Sequence, residues 1–316
     1  FCAEYGIPYA NTGKFIVATS EDELPRMREL YERAREKGVD IEYLTREVIK
    51  EQEPNIEAIA GLHTRQTGVV DAATYVRTLA KIVEQKEGVV LRRAMVTNII
   101  PRGDDLILQV KQDEMEYEVL AGLVVNAAGL FADQVARGVN PDFPYVIKPL
   151  RGEFMKFNKK SRPELWMGDR NVYPVPQPIP GMYDQWGNQK TMAGVHLTPT
   201  FDMRADGTAF IGNTVLLGPL GHMVESKTDY SKDRRPAEEF IEKIKRIQPS
   251  LTIDDLTEDQ VGIQVKLKGY DDYVIARDTL HPNLAHMICD SPGMSGSLGN
   301  GHYMVYDVLK DWHIRT

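Results

Sequence analysis

Cysteine is almost missing from this chain: Cys2 and Cys289 are the only two among 316 residues. That is too few for a disulfide framework, and no C-x-x-C spacing suggests zinc or redox work. Such usage fits a reducing compartment. No stretch approaches the ~18 consecutive apolar residues of a membrane span, and the N-terminus has neither the basic nor the apolar region of a secretory signal. No transmembrane segment is expected, and the location expected is cytoplasmic or peripheral to a membrane. Positive charge is in deficit as well. Lys plus Arg number 38 against 46 Asp plus Glu, a formal net charge of −8, whereas a nucleic-acid partner needs a cationic footprint. His63, His222, His281, His286, His302 and His313 show no H-E-x-x-H or similar spacing, so no metal site is expected. Gly-x-Ser-x-Gly and P-loop patterns are missing too. So is a complete G-x-G-x-x-G dinucleotide turn, since Gly299 and Gly301 begin the spacing but Met304 takes the third glycine position.

What is present suits a folded protein of one large or two ordinary domains, with 42% hydrophobic and 27% charged residues. The chain opens on Phe1 and reads as though already inside a domain, so an N-terminally incomplete sequence is expected. A short strand over 14–19 precedes Ser20 and Glu23, a capping-box spacing, after which Leu24, Met27, Leu30, Tyr31 and Ala34 fall at helical intervals until Gly38. Asp71 can cap a second helix with Ala72, Val76, Leu79 and Val83 on its apolar face. Short strands are expected over 89–91, 95–100, 106–110 and 117–120. Leu123-Val124-Val125 then runs into Asn126-Ala127-Ala128-Gly129 and a helical stretch, the βα unit of a parallel sheet. Past Pro141 prolines crowd and short strands alternate with turns, the texture of a mostly antiparallel second domain. Pro236 can open a helix carrying Phe240, Ile241, Ile244 and Ile247. An apolar strand over 284–288 leads through Asp290-Ser291-Pro292-Gly293-Met294-Ser295-Gly296 into a C-terminal helix with Tyr303, Val305, Val308 and Leu309.

Chemistry can be sought at a few places, each with a plainer reading beside it. The glycine turns after 125 and 290 could bring backbone N–H groups to a phosphate or carbonyl oxygen, or simply allow close packing. His196 and Thr198 share one face of a strand, where His could take a proton and Thr orient an oxygen; a histidine satisfied by a backbone carbonyl would look the same. Arg151, Lys266 and Lys268 are candidate anion clamps, with Gln264 on the face of Lys266 and Lys268, or else cations of a solvated edge strand. Tyr173, Met182, Tyr183, Trp186 and Met192 could line an apolar pocket or pack beneath the proline-rich loop. Cys289 has no evident activating partner.

Taken in order, several motifs carry a resemblance: Thr12-Gly13-Lys14, Gln52-Glu53-Pro54-Asn55-Ile56, Gly68-Val69-Val70-Asp71, Val125-Asn126-Ala127-Ala128-Gly129-Leu130, Arg151-Gly152-Glu153-Phe154 and Val172-Tyr173-Pro174-Val175-Pro176. They continue in 194–198, in Gly212-Asn213 and in Leu217-Gly218-Pro219. The set resembles FAD-dependent oxidoreductases of the D-amino-acid oxidase superfamily, most closely the L-2-hydroxyglutarate oxidase/dehydrogenase family. The resemblance implies an α/β (α+β) two-domain flavoprotein, its FAD-binding Rossmann-like part at 68–147 and 259–316 without the N-terminal βαβ. A mostly antiparallel substrate part is implied at 1–67 and 148–258. It implies oxidation of the C2 hydroxyl of a small 2-hydroxy acid such as L-2-hydroxyglutarate, with oxygen or a quinone as electron acceptor. Val96 and Ala127, Ala128 and Gly129 would face the adenosine half of FAD, and Pro292, Gly293, Met294 and Ser295 the flavin and pyrophosphate. His196 would be the base, with Arg151, Tyr173 and Thr198 around the substrate. The family's strand arginine is replaced by Gln264, so a carboxylate there would look to Lys266, Lys268 or Arg151. A related flavin enzyme acting on an amino acid or glycerol 3-phosphate, and a member that binds no flavin, are the alternatives.

Overall fold

The computed structural model describes residues 1–231 and 233–312; Lys232 and residues 313–316, with His313 among them, lie outside the described residues. Its largest element is an eight-stranded sheet. In spatial order the strands are Thr257–Leu267, Ile147–Asn158, Ala209–Met223, His196–Met203, Asn171–Pro174, Lys14–Ala18, Ala60–Thr64 and Ile41–Thr45. All neighbours are antiparallel except Lys14–Ala18 and Asn171–Pro174, which run parallel. The boundary expected at 259 falls inside the first of these strands, which is hydrogen-bonded along Ile147–Asn158.

Alternation along each strand divides this sheet into two unlike faces. Phe15, Val17, Val172, Leu197, Val215 and Leu217 point into the main core, where helix Ala237–Ile244 adds Phe240 and Ile244. Pro236 precedes that helix as its cap rather than opening it. The residues between them, Lys14, Tyr173, His196 and Thr198, therefore lie on the other face.

A second sheet has three strands, Val274–Arg277, Leu284–Ile288 and Val124–Asn126. The last two are parallel, with Ala285 opposite Val125, although they lie far apart in sequence. Two parallel neighbours end on the same edge, so the turns after Asn126 and Ile288 emerge side by side, where α/β sheets hold ligands. Strands Ala94–Arg102, Asp105–Gln112 and Met115–Ala121 form an antiparallel meander. Residues 89–91, expected as a strand, pair with nothing in the described sheets, and Val89 and Leu91 are exposed.

Several local expectations shift. Ser20 makes no capping hydrogen bond; the backbone N–H of Thr19 donates to Glu23 instead, and a 3-10 turn precedes helix Leu24–Glu36. Asp71 does cap helix Ala72–Gln85, accepting from the Thr74 N–H at 2.9 Å. Its buried residue is Tyr75, however, while Val76 and Val83 are exposed. The C-terminal helix Ser297–Tyr303 passes into a π-helical turn, Met304–Val308, and the side chains it buries are Met304 and Leu309.

Candidate functional site

The polar patch on this second face of the large sheet is built by register. Val172 pairs with Leu197, so Tyr173 stands across from His196, and the two rings stack at 3.7 Å with 21° between planes. On its other side His196 faces Gly218, which has no side chain to cover it. The His196 Nδ1–H donates to the carbonyl of Gly194 at 2.8 Å. This fixes the tautomer and leaves the Nε2 lone pair as the acceptor. Burial, and secondarily the charge of Lys14, hold the ring's pKa down at about 4 although the Gly194 bond acts the other way. His196 is thus a neutral, oriented imidazole at physiological pH. Both earlier readings of it meet here, since the carbonyl bond that satisfies a structural histidine also aims a base. Burial raises the pKa of the Tyr173 hydroxyl, with Thr198 beside it opposing the shift, so Tyr173 stays a donor.

The expected anion clamps are placed differently. Arg151 alternates with Leu150, the residue opposite Gln264, and so points away from the face that holds Gln264 and Lys266. Its guanidinium is buried against Glu153 at 3.1 Å and donates to the carbonyls of Ser231 and Asp233. Arg151 is a structural cation tying Asp229, Ser231 and Asp233 to the sheet. Lys266 is likewise committed, its ammonium 2.5 Å from Asp290, whose other oxygen is 3.0 Å from Lys190. Lys190 also donates to the carbonyl of Tyr270 and pairs with Asp271. Lys268 is exposed at the strand end, and Gln264 is half-buried.

Lys190 was not singled out by the sequence. It belongs to the hairpin made by Gln177–Tyr183 and Gln189–Met192, and Met192 of the same hairpin lies over Gly221, where an added Cβ would come within 2.4 Å of its methyl group. The hairpin therefore lies over the sheet's face at Gly221 and is anchored to Asp290, at the root of the 290–296 loop. In that loop Pro292, Met294 and Ser295 are exposed and Gly293 is half-buried, while the Tyr273 hydroxyl donates to the Pro292 carbonyl.

Beside the loop, the turn after Asn126 is exposed and made of small residues, with Gly129 in the left-handed region at φ 55° and open space around it. Asn126 itself is buried and fully engaged. Its Nδ2 donates to the carbonyl of Ala132 and to Nδ1 of His286, and its oxygen accepts from the Ala128 N–H. His286 in turn donates from Nε2 to Asp278 at 3.0 Å. This relay fixes the turn. Val96, Asn126, Ala128, Val125 and Phe131 line a cleft of about 760 Å³, predominantly apolar and bordered by the meander.

The profile of the family described as FAD dependent oxidoreductase matches residues 1–306. The chain belongs to that family. Among relatives of this family member, L-2-hydroxyglutarate dehydrogenase of Escherichia coli O17:K52:H18 is 30% identical over 217 residues, 69% of this chain and 47% of that protein. The mitochondrial L-2-hydroxyglutarate dehydrogenase of Mus musculus is 31% identical over 229 residues, 69% of this chain and 45% of that protein. The chain spans about half the length of the curated relatives it matches. Among solved structures, dithionite-reduced L-alpha-glycerophosphate oxidase from Mycoplasma pneumoniae, with FAD bound, superposes at TM-score 0.78. It shows 21% identity, covering 97% of this chain and 74% of that one. L-proline dehydrogenase from P. horikoshii gives 0.76 at 16% identity, covering 98% and 75%. These likenesses show the fold, an α/β arrangement shared with flavoenzymes.

Residues of this chain fit part of the family's cofactor. The apolar cleft at Val96 and Ala128 has room for an adenosine, and the exposed turn at 127–129, with Gly293 in the turn at 292–295, leaves backbone open to a flat, anionic group.

Proposed function

We propose that the chain serves an FAD-dependent oxidation of a small 2-hydroxy acid, with L-2-hydroxyglutarate converted to 2-oxoglutarate. The names of the curated relatives support the substrate, and the family supports the cofactor. The observation that carries the reading is His196, a neutral imidazole whose Nδ1 is spent on Gly194 and whose Nε2 bonds no group among the described residues, set between Tyr173 and a bare glycine. In this reading 68–147 and the segment after the large sheet's last strand hold FAD, with Val96 and Ala127, Ala128 and Gly129 at its adenosine half and Pro292, Gly293, Met294 and Ser295 nearer the flavin.

When bound, FAD supplies the two-electron acceptor for the hydrogen leaving C2, and oxygen or a quinone reoxidises it. The chain's own work is positioning and proton transfer. His196 Nε2 takes the hydroxyl proton, Tyr173 holds the imidazole plane, and the Thr198 and Tyr173 hydroxyls orient the oxygen. Gln264 can hydrogen-bond a distal polar group without charge.

A positioned base contributes ~100- to 10,000-fold, so His196→Asn should lower kcat by about that range with flavin content unchanged. Unchanged turnover per bound flavin would remove His196 from the reaction.

A further inference from the structure

Most buried cations near the site already have their counter-charge: Arg151 has Glu153, Lys190 and Lys266 share Asp290, and Lys227 has Asp133. Lys14 is unlike them. It begins strand Lys14–Ala18, and because Ile16 pairs with Tyr173, alternation puts Lys14 on the face that carries Tyr173, His196 and Thr198. Its ammonium lies 5.1 Å from the centre of the Tyr173 ring, which itself stacks on His196. Among the described residues no carboxylate pairs with it. A cation–π contact alone is weak compensation for a half-buried ammonium, and burial lowers the Lys14 pKa accordingly. The local chemistry favours an anion beside the Lys14 ammonium.

We propose that Lys14 binds a carboxylate of the substrate, and so selects organic acids over neutral alcohols at the His196 face. The inference rests on reading this face as the 2-hydroxy-acid site, but it concerns binding, not oxidation. A carboxylate at Lys14 would restore the missing charge balance with a charge-assisted hydrogen bond. It would also offset the charge of Lys14 that disfavours a proton on His196, making the imidazole a better acceptor once the acid is in place. Arg151, the clamp expected from the sequence, cannot serve without giving up its ion pair with Glu153.

The test uses calorimetric titration of the chain, in excess FAD, with glutarate and with its uncharged diamide, glutaramide. The wild type should bind glutarate in preference to glutaramide. Lys14→Met should lose about thirtyfold or more in glutarate affinity, the loss for truncating one side of a desolvated charge pair, with glutaramide binding unaltered. Lys14→Arg, which keeps the charge, should retain the preference, and circular dichroism establishes that each variant is folded. If Lys14→Met fails to fold, Lys14→Gln takes its place. Failure of the wild type to bind glutarate or to prefer it over glutaramide overturns the proposal, as does undiminished glutarate binding in the folded, uncharged variant. A Lys14-dependent preference without any oxidation of L-2-hydroxyglutarate would sink the proposed reaction and leave this assignment standing.

Discussion

His196 carries a cost that pH can reveal. Its pKa is about 4 in the folded chain against 6.5 for an ordinary histidine. The unfolded chain therefore binds more protons between those values, and folding stability falls as pH drops through that window. The full effect is present above pH ~6.5 and is lost by pH ~4, an amount of roughly 3 kcal/mol if this histidine acts alone. Urea unfolding at neutral pH and near pH 4.5 should show the decline in the wild type and a flatter profile in His196→Asn. Equal slopes in the two proteins would mean that the ring is hydrated rather than buried. At this scale the sequence is informative about residue type and face: His196, Thr198 and Tyr173 do come together on one side of a sheet. Counter-ions are what it conceals. Arg151 and Lys266 look like free clamps until Glu153 and Asp290 are found beside them, and Asp290 is 24 positions from Lys266.

Among elements, the 177–192 hairpin has one buried charged anchor, Lys190. Lys190 is buried between Asp290 at 3.0 Å, Asp271 at 3.2 Å and the Tyr270 carbonyl at 2.8 Å. Lys190→Met would leave Asp290 to Lys266 alone and free the hairpin from the 290–296 loop. Hydrogen exchange confined to 177–192 should then quicken by about tenfold or more, with the core sheet unaltered; unchanged exchange there would show that Met192 packing suffices. Gly218 makes a second element-scale case. Its φ is 147°, and a Cβ added there would lie 2.7 Å from the backbone oxygen of Glu153. Gly218→Ala should cost about 1–3 kcal/mol by chemical denaturation, and a loss below a few tenths would mean the two strands can separate freely. Elements with a strong local signal, the Asp71-capped helix and the strand–turn–helix at Val124, are legible in the sequence. Which face of helix Ala72–Gln85 is buried is not legible, because Val76 and Val83 of the apolar repeat stay exposed while Tyr75 bonds Ser297 from a distant segment.

For the whole molecule, two sheets are drawn from interleaved stretches of chain, and Lys190 and Lys266 both reach Asp290, just beyond the second sheet's strand Leu284–Ile288. The parallel pairing of Val124–Asn126 with Leu284–Ile288 follows from two strand–glycine–turn–helix units of one kind. The membership of Thr257–Leu267 in the large sheet left no local mark, since pairing is decided by a partner about a hundred residues away. The cofactor half is uneven in the same way. The turns proposed for adenosine and flavin are exposed, but the sequence has no G-x-G-x-x-G to grip a pyrophosphate. This chain should therefore release FAD on gel filtration, and stoichiometric retention would show that 127–129 and 292–295 hold the pyrophosphate unaided. The claim that joins both halves is that a 2-hydroxy acid bound at His196 delivers its electrons to FAD. Its most direct measurement is anaerobic addition of L-2-hydroxyglutarate to the chain in saturating FAD. The account predicts bleaching of the flavin band with 2-oxoglutarate formed in equal amount to the flavin reduced. Flavin that is bound yet stays oxidised with this acid would contradict it.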